Sequence, residues 1–181
     1  MTEVYSNIYK IPVFLPDSPL KELNAFLIKG ERRSLLIDTG FGSEESQQSL
    51  FKSLNELSVD VNNMDIFLTH MHADHTGLVD VLKNESNAIY ISEEDSRIIT
   101  NELNEDCWVT IKNQSLLIGF PPGEELNYKE HPGYINRAKK AVDCHFLEEG
   151  DEILYGGYNF SVLSLKGHTP GHLGLYEKDH G

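Results

Sequence analysis

Residues 66–82 read IFLTHMHADHTGLVDVL, and three histidines and an aspartate fall within six of those positions, directly after an apolar run. In an extended segment the side chains at i and i+2 project from the same face, so His70 and His72 can present two imidazoles to one point. A divalent cation needs that convergence. Asp74 and His75 follow at the junction with what reads as a helix, where the chain changes direction and can aim them at a second point nearby. Nitrogen and carboxylate donors without a thiolate suit zinc first, with iron or manganese competing for the same hole. The alternative is loop histidines hydrogen-bonded to carbonyls and solvent. It fits one such residue better than a cluster of this composition. These residues alone therefore point to two adjacent metal positions.

Elements in the right places must hold such a cluster. The segments NIYKIPVF and NAFLIKG alternate in the manner of strands, a polar turn follows at Glu31 to Arg33, and SLLID reads as a third buried strand. In TGFGSEESQQSLFKSLNELS, Ser43 stands where an N-cap belongs, acids occupy the first turn, and Leu50, Phe51, Leu54 and Leu57 recur at helical spacing. DIFLT reads as a short buried strand, GLVDVLKN as a helix and AIYIS as another strand. This alternation predicts an α/β sandwich whose loops gather at one sheet edge, with the histidine cluster on one of them.

Residues 92–145 break that rhythm and read as a helical insertion within a single domain spanning 1–181. Ser92 with Asp95 three residues on resembles a capping box opening EEDSRIITNEL. CWVTIKNQSLLIGF and YINRAKKAV supply two further helices around the breaker FPPGEE. Trp108, Phe120, Tyr128 and Tyr134 either line a substrate cap or form the core of the insertion, and His131 stays open between roles. Beyond, DEILYGGYNFSVLSL predicts a β-hairpin turning at Gly156-Gly157, then the loop KGHTPGH and a strand LGLYE.

A chain of 181 residues, 39% hydrophobic and 24% charged, can bury one sizeable core. It lacks an apolar run near the ~20 residues that cross a bilayer. MTEVYSNIYKIPVF has neither the basic start nor the sustained apolar centre of a signal peptide, so a cytoplasmic location without a membrane partner is expected. The formal charge of -14 disfavours nucleic acid, which is bound through clustered Lys and Arg, and favours a small-molecule substrate. Cys107 and Cys144 form no Cys-x-x-Cys pair and read as free thiols.

The motifs THMHADHTG and GHTPGH, with LIDTG upstream, resemble those of the metallo-β-lactamase-fold hydrolases, a superfamily that includes glyoxalase II, lactonases, sulfur dioxygenases and RNA-processing nucleases. The first motif matches H-x-H-x-D-H in full, and the likeness runs from about the first strand to the last residue. It implies an αββα sandwich in which His70, His72 and His168 hold one metal, Asp74 and His75 hold a second, and Asp38 of LIDTG supports the metal loops. His172, the other histidine of GHTPGH, is not a usual ligand in the family. It is expected to hydrogen-bond around the ligands or to touch the loop. Pro170 and Gly171 would shape the turn that aims His168 inward.

The implied reaction is hydrolysis of a small ester, thioester, lactone or amide. The cation lowers the pKa of a bound water, the resulting hydroxide attacks the carbonyl, and metal charge stabilises the oxyanion. Asp74 would be both ligand and orienter of that hydroxide, and thus the catalytic residue. No serine or cysteine nucleophile is needed, so Ser164 and Cys144 read as packing or loop residues.

The likeness stops short of the whole family pattern. The family has an aspartate bridging both metals, usually in a Gly-Asp pair after the strand that follows GHTPGH, and a last histidine further on. LGLYEKDHG ends the sequence without either. Asp179 falls one strand too early and His180 stands at a terminus, so they read as turn and tail residues. The expectation is the N-terminal part of a longer chain: a sandwich incomplete at its C-terminus, binding one metal better than two, with uncovered apolar surface that favours self-association. Two readings compete with the hydrolase. One is a non-haem iron oxidoreductase of the sulfur-dioxygenase type, which uses only the three-histidine position; the other is a truncated fragment inactive by itself.

Overall fold

The computed structural model describes residues 1–121 and 127–179. Seven strands form a mixed sheet in the order β1 (Thr2–Tyr5), β2 (Ile8–Phe14), β3 (Glu22–Ile28), β4 (Ser34–Ile37), β5 (Met64–Phe67), β6 (Ile89–Ile91) and β7 (His145–Phe146). The pairs from β1 to β4 are antiparallel, and those from β4 to β7 are parallel. Three further strands, β8 (Glu152–Tyr155), β9 (Tyr158–Ser164) and β10 (Leu173–Glu177), form a second, antiparallel sheet in the order β10-β9-β8.

Period-two geometry divides the side chains of the large sheet between two cores. Ile11, Leu27, Leu36 and Ile66 pack with Leu50 and Leu54 of helix α1 (Glu44–Glu56) on one face. Ile28, Leu35 and Phe67 turn to the other face and meet Ile153, Phe160, Val162 and Leu173 of the small sheet. Both faces of β4 and β5 are covered, which is why Leu35, Leu36 and Ile37, and Ile66 and Phe67, are apolar at successive positions rather than alternately. Each fully buried Leu, Ile or Phe contributes roughly 1.5–3 kcal/mol. The outer face of the small sheet is different: Leu154, Leu163 and Tyr176 stand exposed there.

Helix α1 starts as the sequence predicts. Ser43 Oγ accepts from Ser46 N at 3.2 Å, Glu44 and Glu45 occupy the first turn, and Ser46 Oγ donates to Phe14 O at 2.6 Å, tying the helix to β2. The β8–β9 turn is likewise as expected: Gly156 and Gly157 lie at φ 61° and 88°, the left-handed pair a two-residue hairpin of this hand requires.

Other elements differ from their sequence patterns. GLVDVLKN yields a single turn, α3 (Val79–Leu82), because Asn87 Nδ2 donates to Leu82 O at 2.9 Å and occupies the carbonyl that a further helical turn would use. It is preceded by another one-turn helix, α2 (Ala73–Thr76). YINRAKKAV contributes only the last residues of a short helix, α6 (Pro132–Ile135). Asn136 O accepts from Gly42 N at 2.7 Å and Lys139 N donates to Asp80 Oδ2 at 2.9 Å, so tertiary contacts claim the backbone there. Strands β1 and β7 have no counterpart in the sequence reading. Residues 122–125 of the predicted breaker FPPGEE, with residue 126 after it, lie outside the described residues.

Helices α4 (Glu93–Glu102) and α5 (Glu105–Leu117) follow β6. Trp108 is buried between them and the 128–134 stretch, with ring centroids 5.4 Å from Tyr134, 5.8 Å from His131 and 6.4 Å from Tyr128. Its Nε1 donates to Glu102 O at 2.7 Å. Of the two roles open to these aromatics, Trp108, Tyr128 and Tyr134 thus take that of a local core, while Phe120 is exposed. No helix among the described residues is long and apolar enough to cross a membrane.

Candidate metal centre

Parallel strands β4, β5 and β6 end at the same sheet edge, and each delivers polar groups there: Asp38 after β4, residues 69–75 after β5, and Ser92 to Asp95 after β6. The β9–β10 loop reaches that edge from the small sheet, pinned by Leu173 N donating to Thr69 O at 2.9 Å. His70, His72 and His168 meet as a result. Their rings stand 4.8 Å (His70–His72), 4.8 Å (His70–His168) and 4.6 Å (His72–His168) apart, centroid to centroid. One ring nitrogen from each lies within 4.8 Å of the others. His70 Nε2 and His72 Nδ1 are 3.1 Å apart. Two nitrogens each about 2.0–2.1 Å from a tetrahedral ion stand about 3.3 Å apart, so this pair fits a common zinc-sized cation.

Chain neighbours fix which nitrogens face inward. Asp38 sits at φ 63°, a left-handed conformation that aspartate tolerates better than most residues, and this turns its carboxylate under the histidine loop. Asp38 accepts from Thr69 N at 2.8 Å, from Thr69 Oγ1 at 2.9 Å and from His75 Nδ1 at 2.7 Å. An ionised carboxylate only accepts, so His75 carries its proton on Nδ1. The Thr69 hydroxyl spends its proton on Asp38 and accepts from His70 Nδ1 at 2.9 Å, leaving His70 Nε2 as a lone pair facing the site.

Electrostatics point the same way. Burial pushes the His70 pKa down to about 2, and the neighbouring histidines His75, His72, His172 and His168 add to the shift. His72 and His172 are lowered too, by burial first and by His168 second. These rings are thus neutral near pH 7, the form that donates a lone pair to a metal. His75 is opposite: burial works to lower its pKa, but the hydrogen bond and charge of Asp38, with Asp74, outweigh it and raise the net value.

Asp74 and His75 lie on α2, with Asp74 Oδ2 3.6 Å from His75 Nε2, and stand as a pair beside the three-histidine group. His172 places its ring 5.0 Å from that of His70 and 6.0 Å from that of His168. Asp179 is exposed in a turn and His180 lies outside the described residues. Cys107 and Cys144 are free, and burial pushes the Cys144 thiol up, away from the thiolate a nucleophile would need.

The Ser92–Asp95 pattern is only half a capping box. Ser92 Oγ accepts from Asp95 N at 3.2 Å, but the Asp95 carboxylate turns away from the helix start and accepts from Met71 N, Thr169 Oγ1 and Gly171 N. Thr69 and Asp95 are thus site residues the sequence reading did not single out. Thr69 abuts the motif and was within reach; Asp95 was concealed by a local pattern.

The fold agrees with comparison to known proteins. The sequence profile of the Metallo-beta-lactamase superfamily matches residues 22–181, and the chain belongs to that superfamily. It is 28% identical over 166 residues to hydroxyacylglutathione hydrolase GloC of Haemophilus influenzae, covering 91% of this chain and 65% of that protein. It is 30% identical over 164 residues to the probable metallo-hydrolase YqjP of Bacillus subtilis, covering 86% of this chain and 49% of the other. The structure of metallo-beta-lactamase family protein TTHA1429 from Thermus thermophilus superposes with a TM-score of 0.82 at 25% identity, over 96% of this chain and 56% of that one. The chain therefore spans between about half and two thirds of the length of these relatives.

Proposed function

We propose that this chain carries the metal centre of a hydrolase acting on a small acyl compound: an ester, thioester, lactone or amide. The observation that carries the reading is the meeting of His70, His72 and His168, from loops that follow strands of two different sheets, around one point. Zinc is the first expected ion, with iron or manganese as alternatives. A cation held by His70 Nε2, His72 Nδ1 and a ring nitrogen of His168 would polarise a carbonyl and make water a stronger acid. Similarity to a hydroxyacylglutathione hydrolase supports a substrate in which an acyl group is transferred to water from sulfur.

The chain's own residues do the rest. Asp74, half-buried on the first turn of α2, orients the attacking water and takes up its proton, and His75 Nε2 lies beside its Oδ2. Asp38 and Thr69 hold His70 and His75 in the tautomers described above, so little reorganisation is needed during reaction. His168 is solvent-exposed, so substrate approaches from its side. The helical segment after β6 is the candidate for substrate contact. With Asp74 and His75 as its donors, a second metal position is expected to bind more weakly than the first.

Elemental analysis of protein purified without added metal, followed by assays on thioesters, lactones and esters with and without zinc, tests this. Zinc-dependent turnover lost in His168→Ala is expected; metal-independent turnover would sink it. The three histidines also stand as a group without Asp74 and His75, which favours one competitor, an iron oxidoreductase of the sulfur-dioxygenase type. Iron content with oxygen consumption would select that reading. A tightly bound metal without either activity would favour an inactive fragment.

A further inference from the structure

Asp95 opens α4, yet its carboxylate is committed to the two histidine loops. The side chain is fully buried. Oδ2 accepts from Met71 N at 3.0 Å and from Thr169 Oγ1 at 2.6 Å, while Oδ1 accepts from Gly171 N at 2.8 Å. Met71 lies between His70 and His72, Thr169 follows His168, and Gly171 precedes His172. Asp38 anchors the first loop only; Asp95 spans both. The approach is close: a Cβ on Gly171 would meet Ser92 Oγ at 2.0 Å and Asp95 Oδ1 at 2.8 Å. Burying a carboxylate is costly even when it is hydrogen-bonded. Its donors say what the group is for.

We propose that Asp95 is a positioning residue that sets the distance between the His168 loop and the His70–His72 loop, coupling the helical segment to the metal centre. The proposal rests on the reading that the three histidines hold a metal. Asp65 is the control that separates positioning from general stability. It is also buried, and it takes hydrogen bonds from Arg33 Nη1 at 2.6 Å, Ala88 N at 2.7 Å and Tyr155 OH at 2.5 Å, away from the histidines.

The test uses the 181-residue chain and its variants Asp95→Ala, Asp95→Asn, Thr169→Val, Asp65→Asn and His168→Ala. Each is titrated with Zn²⁺ against a chromophoric chelator and with Co²⁺ followed by visible absorption, and the metal-free forms are melted in parallel. Asp95→Ala is expected to lose on the order of 10–100-fold in Zn²⁺ affinity and to shift the Co²⁺ bands, with Asp95→Asn between it and the parent. Thr169→Val, which removes one of the two bonds on the His168 side and leaves that from Gly171 N, should lose roughly 3–10-fold. Asp65→Asn should lower the melting temperature while leaving affinity and spectrum unchanged.

The proposal is overturned if Asp95→Ala binds both metals like the parent, or, should that variant not fold, if Thr169→Val does. It is equally overturned if Asp65→Asn weakens binding as much as Asp95→Ala, which would make the effect one of stability. A different failure identifies a fault in the underlying reading: a parent chain that binds no metal tightly, or a His168→Ala variant that binds as well as the parent, sinks both the metal centre and the role of Asp95.

Discussion

Strand β5 has buried polar groups near each end, and the two ends are built on opposite principles. Near its start, the Asp65 carboxylate is met by a guanidinium, a backbone N–H and the Tyr155 hydroxyl, which lies 3.3 Å from Tyr90 OH. Burial, followed by the hydrogen bonds to Asp65 and Tyr90, pushes the Tyr155 pKa up, so that hydroxyl stays a donor. Acceptors there face donors. Beyond the other end, imidazole nitrogens of His70, His72 and His168 face one another, and the chain's own donors are spent behind them on Asp38 and Asp95. Buried polarity alone does not mark function, since Asp65 is as buried as many catalytic groups. The mark is groups of the same kind turned toward a shared point.

The largest expected break of this contrast is His168→Ala. Removing one of the three facing nitrogens should cost at least about 100-fold in Zn²⁺ affinity, beyond the usual effect of an outer partner. Because His168 is exposed, the metal-free stability should change by no more than about 0.5 kcal/mol in urea unfolding. Asp65→Ala should do the reverse. It strands the Tyr155 hydroxyl and the Arg33 charge, and since Arg33 is about one-third exposed the loss should be about 2 kcal/mol, with Zn²⁺ affinity unchanged in a chelator competition.

Thr69→Val sharpens the contrast at smaller scale. It keeps the shape but removes the hydroxyl that sets the His70 tautomer, and should lower Zn²⁺ affinity roughly 10-fold. Least in size is an effect away from both ends. Burial pushes the Glu102 pKa up to about 7 from its ordinary 4.5, with Arg137 working against the shift. Between those values the folded chain keeps a proton that the unfolded chain has lost. This contribution is therefore fully present below about pH 4.5 and is lost as pH rises through 7. Glu102→Gln should remove that loss, visible as a flatter melting temperature of the metal-free chain between pH 5 and pH 8.

What the sequence disclosed depended on how far each interaction reaches. Ser43 caps α1 through Ser46, three residues on, and the Gly156-Gly157 turn closes on its own strands, so local rules find both. The double burial of β4 and β5 is written in SLLI and MDIF themselves. His70, His72, Asp74 and His75 share one short stretch and announce themselves. His168 does not; it was reached through the resemblance carried by GHTPGH, and the structure brings it to the same point. Asp95 escaped because Ser92 satisfies half of a familiar local pattern, while the carboxylate's partners Thr169 and Gly171 are 74 and 76 positions away. The brevity of α6 has a similar cause, since the Asn136 carbonyl is taken by Gly42 from a distant turn.

His70 and His168 stand in loops that follow strands of different sheets and are separated by more than half the chain. The large sheet by itself presents His70 and His72 without His168, so the three-histidine position proposed for the ion is completed only when one sheet docks on the other. An ion present at 100 times its dissociation constant would then add about 2.7 kcal/mol to the folded state, withheld until that docking occurs. If the proposed centre holds such an ion, metal supply would set how fully the assembled sandwich is populated, quite apart from any turnover it supports.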